Sequence, residues 1–169
     1  MNDLRKYTTE ELVELVKERK VSAGDLTDSG ICPTCFDRSN NHVLYGDNED
    51  MIIYENDEFE CFLVGKPRAN GHVAISTKKH FKDMMEVDDK TCQDIFLLSK
   101  KLMSIIKNVY GSESVYLCTM CDGPMNHFHV QLIPRYSFEK RGSENFAKPR
   151  FKYQEDKEKL NKLRVLMKQ

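Results

Sequence analysis

The chain has 169 residues, of which 40% are hydrophobic and 31% charged, and its 26 basic and 27 acidic side chains leave a net charge of −1. This length and composition predict a globular domain with its own core, and the charge balance argues against broad electrostatic capture of nucleic acid. No apolar run approaches a membrane span, and the N-terminal segment is too charged for a secretion signal, so we expect a cytoplasmic protein. Its six cysteines are then expected as thiols or metal ligands.

The first predicted element is a short helix near the N-terminus. Thr8 or Thr9 followed by Glu10 and Glu11 is typical of a capping box, and apolar residues at helical spacing extend the helix to about Lys20. A connector rich in Ser, Gly and Asp follows. We expect this extension, residues 1–30, to pack against the remainder of the domain or against a partner subunit.

A C-x-x-C motif, Cys32 to Cys35, follows the connector. In a reducing compartment such a motif indicates a metal knuckle or a redox pair, because two thiolates three residues apart can turn onto one ion. A thioredoxin-like redox pair requires a strand before the motif and a helix after it. Both flanks here have loop-like sequences, which favours zinc.

Strand and helix patterns fill the middle of the chain. Residues 51–54 and 58–64 predict two strands, and an Asn70-Gly71 turn leads into a return strand at residues 72–76. Asp88-Asp89 can cap a long helix that Gly111 ends. Two further strands around a turn-rich loop and an amphipathic tail over residues 153–168 complete the pattern. Together they predict an α+β fold: an antiparallel sheet of about five strands, a long helix on one face, and short N-terminal and C-terminal helices.

The last predicted strand carries an unusual row of polar side chains. Because alternate residues of a strand share a face, His127, His129 and Gln131 lie together, and the intervening residues point into the core. Two imidazoles and one amide occupy positions that could have been apolar. This pattern favours a functional site over a solvated strand face.

The sequence from His127 to Gln131 resembles the active-site strand of the histidine triad (HIT) superfamily of nucleotide hydrolases and transferases. Most hydrolase branches carry H-x-H-x-H, whereas the glutamine form resembles the galactose-1-phosphate uridylyltransferase and diadenosine tetraphosphate phosphorylase branches. The spacing of Pro67, Gly71-His72 and Lys78-Lys79-His80 also matches a superfamily segment, with Thr77 in place of its usual proline.

The resemblance covers residues 31–136, which it identifies as a HIT-like nucleotide-binding domain, and leaves a basic loop and C-terminal helix at residues 137–169. It implies that His129 is a nucleophile that attacks the α-phosphorus of a nucleotide and forms a covalent nucleotidyl-histidine. Gln131 would support this intermediate, and because an amide is a poor proton donor it favours transfer over hydrolysis. Expected substrates are nucleotides, dinucleoside polyphosphates or nucleotide sugars, and the expected assembly is a homodimer.

Two rival functions stay open from the sequence alone. In a metallohydrolase, His127 and His129 would both bind a catalytic metal. In a non-catalytic module, zinc would only stabilise a nucleotide-binding fold. A metallohydrolase is expected to lose activity at once when a chelator removes the metal. A non-catalytic module is expected to form no nucleotide adduct.

The metal ligands also have two possible assignments. The resemblance implies structural zinc bound by Cys32, Cys35, His80 and His127, a closed tetrahedral set. A second C-x-x-C motif, Cys118 to Cys121, offers a four-cysteine site with the first motif instead. The first set is preferred for its ligand count and closure. Against the second, the residues before Cys121 have a strand pattern, and positions three apart on a strand face opposite sides of a sheet.

Further residues are expected around the phosphate. His72 resembles a family histidine close to the site, and the loop of residues 122–126, with Gly123 and Asn126, is expected to lie over the α-phosphate. The acidic residue that often binds ribose in the family is replaced near Val64-Gly65. Four cations beyond the last strand could meet a polyphosphate or sugar-phosphate group: Arg135, Arg141, Lys148 and Arg150.

Overall fold

The computed structural model describes residues 3–45, 51–121, 123–142 and 144–169. The α-helices are α1 (Thr9–Lys17), α2 (Ala23–Asp28), α3 (Pro33–Ser39), α4 (Asp89–Tyr110), α5 (Glu144–Ala147) and α6 (Lys157–Met167). The strands are β1 (Ile52–Glu55), β2 (Phe59–Leu63), β3 (Val73–Thr77), β4 (Ser114–Cys118) and β5 (His129–Arg135). These elements confirm the predicted α+β class. None of the helices within the described ranges is long and apolar enough to cross a bilayer.

The five strands form one antiparallel sheet in the order β1-β2-β3-β5-β4. Helix α4 begins at the cap Asp88, whose side chain accepts a hydrogen bond from the Thr91 amide, and ends at Gly111 in the left-handed conformation, with φ +68°. Its apolar stripe packs with α6 against one face of the sheet. This arrangement confirms the predicted long helix on one face and the predicted C-terminal helix.

The alternation of β5 separates the core from the polar face of the sheet. Phe128, Val130 and Leu132 are buried in the main core, as predicted. His129 and Gln131 face the other side, and the strand register places His129 opposite Ser76 of β3, and Gln131 opposite Ala74 of β3. The site is therefore built on the central strands of the sheet, which hold its side chains on a rigid frame.

The N-terminal region differs from the sequence prediction, because the connector and the segment after Cys32 are both helical. Helix α2 begins with a reciprocal capping box between Ser22 and Asp25, and α3 begins at Cys32, whose Sγ accepts from the Cys35 amide, with Pro33 in the first turn. The premise that both flanks of the C-x-x-C motif are loops was thus wrong. Around these helices lies a second, smaller apolar cluster, which comprises Leu4, Leu12, Val16, Val21, Leu26 and Phe36.

Candidate active site and metal centre

The four residues predicted as metal ligands lie together on the polar side of the sheet. The ligand atoms of Cys32, Cys35, His80 and His127 are all within 4.8 Å of one another. They come from three separate segments: the start of α3, the stretch after β3, and the residue that precedes Phe128 at the entrance to β5. Cys32 and His127 are buried, whereas His80 is exposed, so the cluster lies near the protein surface.

The distances within this cluster match those around a tetrahedral ion. The Nδ1 atom of His127 lies 3.5 Å from Cys32 Sγ and 3.4 Å from Cys35 Sγ, and His80 Nδ1 lies 3.4 Å from Cys35 Sγ. Metal–sulfur bonds of about 2.3 Å and metal–nitrogen bonds of about 2.0 Å at the tetrahedral angle separate sulfur from nitrogen by about 3.5 Å. The side chains are therefore already spaced to bind a metal.

The surroundings of the cluster set the protonation states of His127 and Cys35. The Nε2 atom of His127 lies 2.8 Å from the carbonyl oxygen of Thr77, to which it can donate only as the Nε2–H tautomer, leaving Nδ1 to bind an ion. Burial lowers the pKa of His127 to about 4, which keeps the ring neutral. Burial, and then the neighbouring Cys32, raise the pKa of Cys35 to about 11, so a bound cation is what would hold the Cys35 sulfur as a thiolate.

His129 projects beside this cluster but takes no part in it. Its Nδ1 lies 2.8 Å from the carbonyl oxygen of His127, and its Nε2 lies 3.2 Å from Nε2 of Gln131. A carbonyl can only accept, so Nδ1 carries the proton and the lone pair is on Nε2. Among the described residues, the metal-ligand cluster does not include His129. The ring therefore presents a lone pair held by one amide donor, and no metal ligand role is needed to explain its position.

The hydrogen bond to His129 sets the orientation of the Gln131 amide. Because Nε2 of His129 is an acceptor, the amide nitrogen of Gln131 must face it. Nearby, His72 is buried, and its Nδ1 accepts from the Arg68 amide at 3.1 Å, so its proton is on Nε2. That Nε2 and the Gln131 Oε1 are both buried and have no hydrogen-bond partner among the described residues.

His129 opens onto a cavity of about 290 Å³. Its walls come from the start of β5, from α2 and α3, from the segment after α3, and from the segment before β5. Besides His129, the lining residues are Ala23, Gly24, Thr27, Pro33, Thr34, Tyr45, Met125, Asn126 and His127. A cavity of this size holds a phosphoryl group together with part of a nucleoside. Sequence reasoning missed the contribution of α2, because nothing in the connector pointed to the site.

The other predicted residues lie at varying distances from this cavity. Asn126 lines it and donates from Nδ2 to the Lys82 carbonyl at 2.5 Å. Gly123 is exposed and is not among the lining residues, with φ +100°. Asp122, in the same predicted loop, lies outside the described residues. Cys118 pairs with Gln131 across β4 and β5 and is not among the described residues that gather around Cys32.

An antiparallel sheet backed by a long helix, with an imidazole lone pair at the mouth of a cavity and a Cys/His cluster beside it, is typical of the histidine triad class. A model of the HIT domain matches residues 45–138, and the chain belongs to this family. An uncharacterized HIT-like protein of Methanocaldococcus jannaschii is 28% identical over 99 residues, which are 56% of this chain and 75% of that protein. The nitrilase and fragile histidine triad fusion protein NitFhit of Caenorhabditis elegans is 26% identical over 91 residues, 51% of this chain but only 20% of the fusion protein.

Solved structures show the same fold. A zinc-bound histidine triad family protein from Mycobacterium smegmatis matches with a TM-score of 0.61 and 19% identity, covering 81% of this chain and 93% of that one. A hypothetical histidine triad nucleotide-binding protein from Sulfolobus tokodaii matches with a TM-score of 0.59 and 24% identity, covering 80% and 89%. The diadenosine triphosphate hydrolase of Plasmodium falciparum matches with a TM-score of 0.55 and 19% identity, covering 71% and 78%.

Proposed function

We propose that this protein is a nucleotidyltransferase or nucleotide hydrolase that acts through a covalent adduct on His129. The observation that carries the proposal is the hydrogen bond from His129 Nδ1 to the His127 carbonyl, which leaves the lone pair of the ring on Nε2, at the cavity. Family membership supports a nucleotide substrate, and the diadenosine triphosphate hydrolase among the structural neighbours suggests dinucleoside polyphosphates as one class.

In the first step, Nε2 of His129 attacks the α-phosphorus and forms a P–N bond, while the P–O bond to the leaving group breaks and its electron pair goes to the departing oxygen. The proton remains on Nδ1 and is donated in a hydrogen bond to the carbonyl oxygen of His127, which stabilises the positive charge that the ring gains. In the second step, an oxygen of water or of a phosphate acceptor attacks phosphorus and breaks the P–N bond. The electron pair of the P–N bond returns to Nε2, so His129 is neutral again; attack by water releases one proton to solvent, whereas attack by an anionic phosphate oxygen releases none.

Gln131 changes partner during this cycle. Its amide nitrogen holds the His129 lone pair at 3.2 Å in the resting protein, and an arriving phosphoryl oxygen can take over that hydrogen bond. An amide donates a hydrogen bond but transfers no proton, so it gives little help to a leaving group or to water. This favours a phosphate-bearing acceptor, which needs less assistance because it is already anionic.

We also propose that Cys32, Cys35, His80 and His127 bind structural zinc, since their donor types and spacing suit that ion. A zinc ion there would supply positive charge that holds two thiolates and would tie α3 to the sheet. The cytoplasmic location and the homodimer stay predictions, supported respectively by composition and by family resemblance.

The test is to trap the adduct. The protein is mixed with a nucleotide labelled at the α-phosphate, quenched, and separated under alkaline conditions, which preserve phosphohistidine-type bonds. We expect label on the wild-type chain and none on His129→Gly, while Cys118→Ser, a substitution beside the row, retains it. Label on His129→Gly at the same level as on Cys118→Ser would contradict the assignment of His129 as the nucleophile. Turnover without any adduct, abolished at once by a chelator, would instead support the metallohydrolase.

A further inference from the structure

Two arginines near the end of the polar row have only neutral partners. Arg68 Nη1 donates to the Lys148 carbonyl at 2.5 Å, and Arg150 Nη1 donates to the Lys66 carbonyl at 2.8 Å. Within the described ranges, neither guanidinium is part of an ion pair with a carboxylate. Arg68 also has a buried Nε without a hydrogen-bond partner. Two cations that share no counterion repel each other, and an anion bound between them would relieve that repulsion.

The two guanidiniums lie close to each other and to the site. Burial, and then Arg68, lower the pKa of Arg150, and after burial Arg150 is the largest influence that lowers the pKa of His72 to about 3. Arg68 also acts on the thiol of Cys118, which is the register partner of Gln131 on β4. The Arg68 amide also donates to His72 Nδ1 at 3.1 Å, so the pair lies beside His72, behind the polar row.

The C-terminal tail brings the second cation to this place. The segment from Lys148 to Tyr153 runs along the β2–β3 loop, where the Phe151 amide donates to the Pro67 carbonyl at 3.0 Å and the Tyr153 amide donates to the Gly65 carbonyl at 3.2 Å. With the two guanidinium bonds, these contacts fix the backbone on either side of Arg150. The tail lies outside the residues matched by the family model, so this cation is an addition to the family domain.

The remaining basic residues predicted to meet a phosphate have other partners. Arg135 is buried and pairs with Glu113 at 2.6 Å, Arg141 reaches the same carboxylate at 3.5 Å, and Lys148 pairs with Glu139 at 2.6 Å. Their charges are balanced by these carboxylates. Of the four predicted cations, Arg150 is the one without a carboxylate partner in the described part of the chain. Its neighbour is Arg68, which the sequence analysis did not single out.

We propose that Arg68 and Arg150 form a binding subsite for a second phosphoryl group, beyond the one attacked by His129. Guanidinium groups suit this role because they bind phosphate oxygens through paired N–H donors. The inference rests on the proposed function and narrows its substrate: either the nucleotide carries a chain of two or more phosphates, or the acceptor is itself a phosphate.

The test measures binding in a His129→Asn background, where no adduct forms, so that failure of the chemistry does not affect the result. Inorganic tripolyphosphate is titrated by calorimetry into this protein and into versions that also carry Arg150→Gln, Arg150→Lys or Arg68→Gln. Loss of one guanidinium is expected to weaken binding about tenfold, with a smaller loss for lysine, because charge remains but paired donation does not. Arg141→Gln, an exposed cation of the same segment, is the matched control and is expected to bind unchanged.

Two further titrations identify the source of the phosphoryl group. If ADP binds more tightly than AMP and Arg150→Gln removes the difference, the second phosphoryl group belongs to the nucleotide's own phosphate chain. If orthophosphate binds to AMP-saturated protein and Arg150→Gln abolishes that binding, the second phosphoryl group belongs to an acceptor. Equal loss in Arg141→Gln, or unchanged tripolyphosphate affinity in well-folded Arg150→Gln and Arg68→Gln proteins, overturns the proposal even if the His129 adduct is found.

Discussion

The buried ring of His72 provides a quantitative test of the electrostatics behind the site. Its side chain is only 1% exposed, and burial, followed by the nearby Arg150, lowers its pKa to about 3. The ring is therefore neutral in the folded protein at every pH where the protein is handled, which leaves Nδ1 able to accept from the Arg68 amide. In the unfolded chain a histidine titrates at about 6.5.

This difference makes the free energy of unfolding depend on pH with a defined sign. Below about pH 6.5 the unfolded state binds a proton that the folded state does not, so stability is complete above that pH and is lost as the pH falls towards 3. The loss is about 1.4 kcal/mol per pH unit. Between pH 7.5 and pH 5.0 the contribution of His72 is therefore about 2 kcal/mol.

Urea unfolding from pH 7.5 to 5.0 measures this contribution when wild type is compared with His72→Gln, which keeps a donor and an acceptor but does not titrate. We expect the variant to be less stable at pH 7.5 and to lose about 2 kcal/mol less than wild type on acidification. Ile75→Val, three residues further along in β3, is the control: it should cost about 1 kcal/mol at every pH. If wild type and His72→Gln follow parallel curves, the ring is not held neutral in the folded protein.

Three other predictions concern the metal centre, the hairpin and the active site. Cys35→Ser should lower bound zinc, measured by mass spectrometry, and the melting temperature, whereas Cys118→Ser should change neither; the reverse would favour the four-cysteine assignment. Gly71→Ala should lower the free energy of unfolding in urea by about 2 kcal/mol or more, because its Cβ would lie 2.7 Å from an aromatic ring, while Gly111→Ala, which meets no atom within 4 Å, should cost only about 1 kcal/mol from its backbone. Gln131→Leu should reduce kcat/KM for the nucleotide substrate by about tenfold or more while the circular dichroism spectrum is kept, and an unchanged kcat/KM would exclude the proposed role of the amide.

The sequence predicted those elements whose signals are local and strong. Helix α4 has a capping aspartate at Asp88, a glycine stop at Gly111 and apolar periodicity over the 22 residues between them, and the alternation of polar and apolar residues around His129 marks a strand. Helices α2 and α3 were missed because they have six and seven residues, too few for periodicity to show. The N-cap of α3 is moreover the sulfur of Cys32, which is not a residue that favours caps.

The candidate site divides in the same way. His127, His129 and Gln131 were predictable from their spacing on one strand. Arg68 was not, because its partnership with the tail joins residues 80 positions apart, and no local pattern reports such a contact. The wall that α2 adds to the cavity is equally non-local. The sequence therefore predicted the residues that one strand places together, and it missed the residues that long-range contacts bring beside them.

The separation of the metal ligands along the chain has a consequence for how the protein folds. Cys32 and His127 are 95 positions apart, and Cys35 and His80 are 45 apart. An ion that joins them closes long loops, whose entropic cost is met only after β3 and β5 have paired and brought His80 and His127 near each other. We therefore expect the proposed ion to bind late in folding. A newly made chain deprived of the ion would still hold α3 to the sheet through Arg38, which pairs with Glu60 and donates to the Thr77 and Lys78 carbonyls, but it would lack the cross-link at the four ligands.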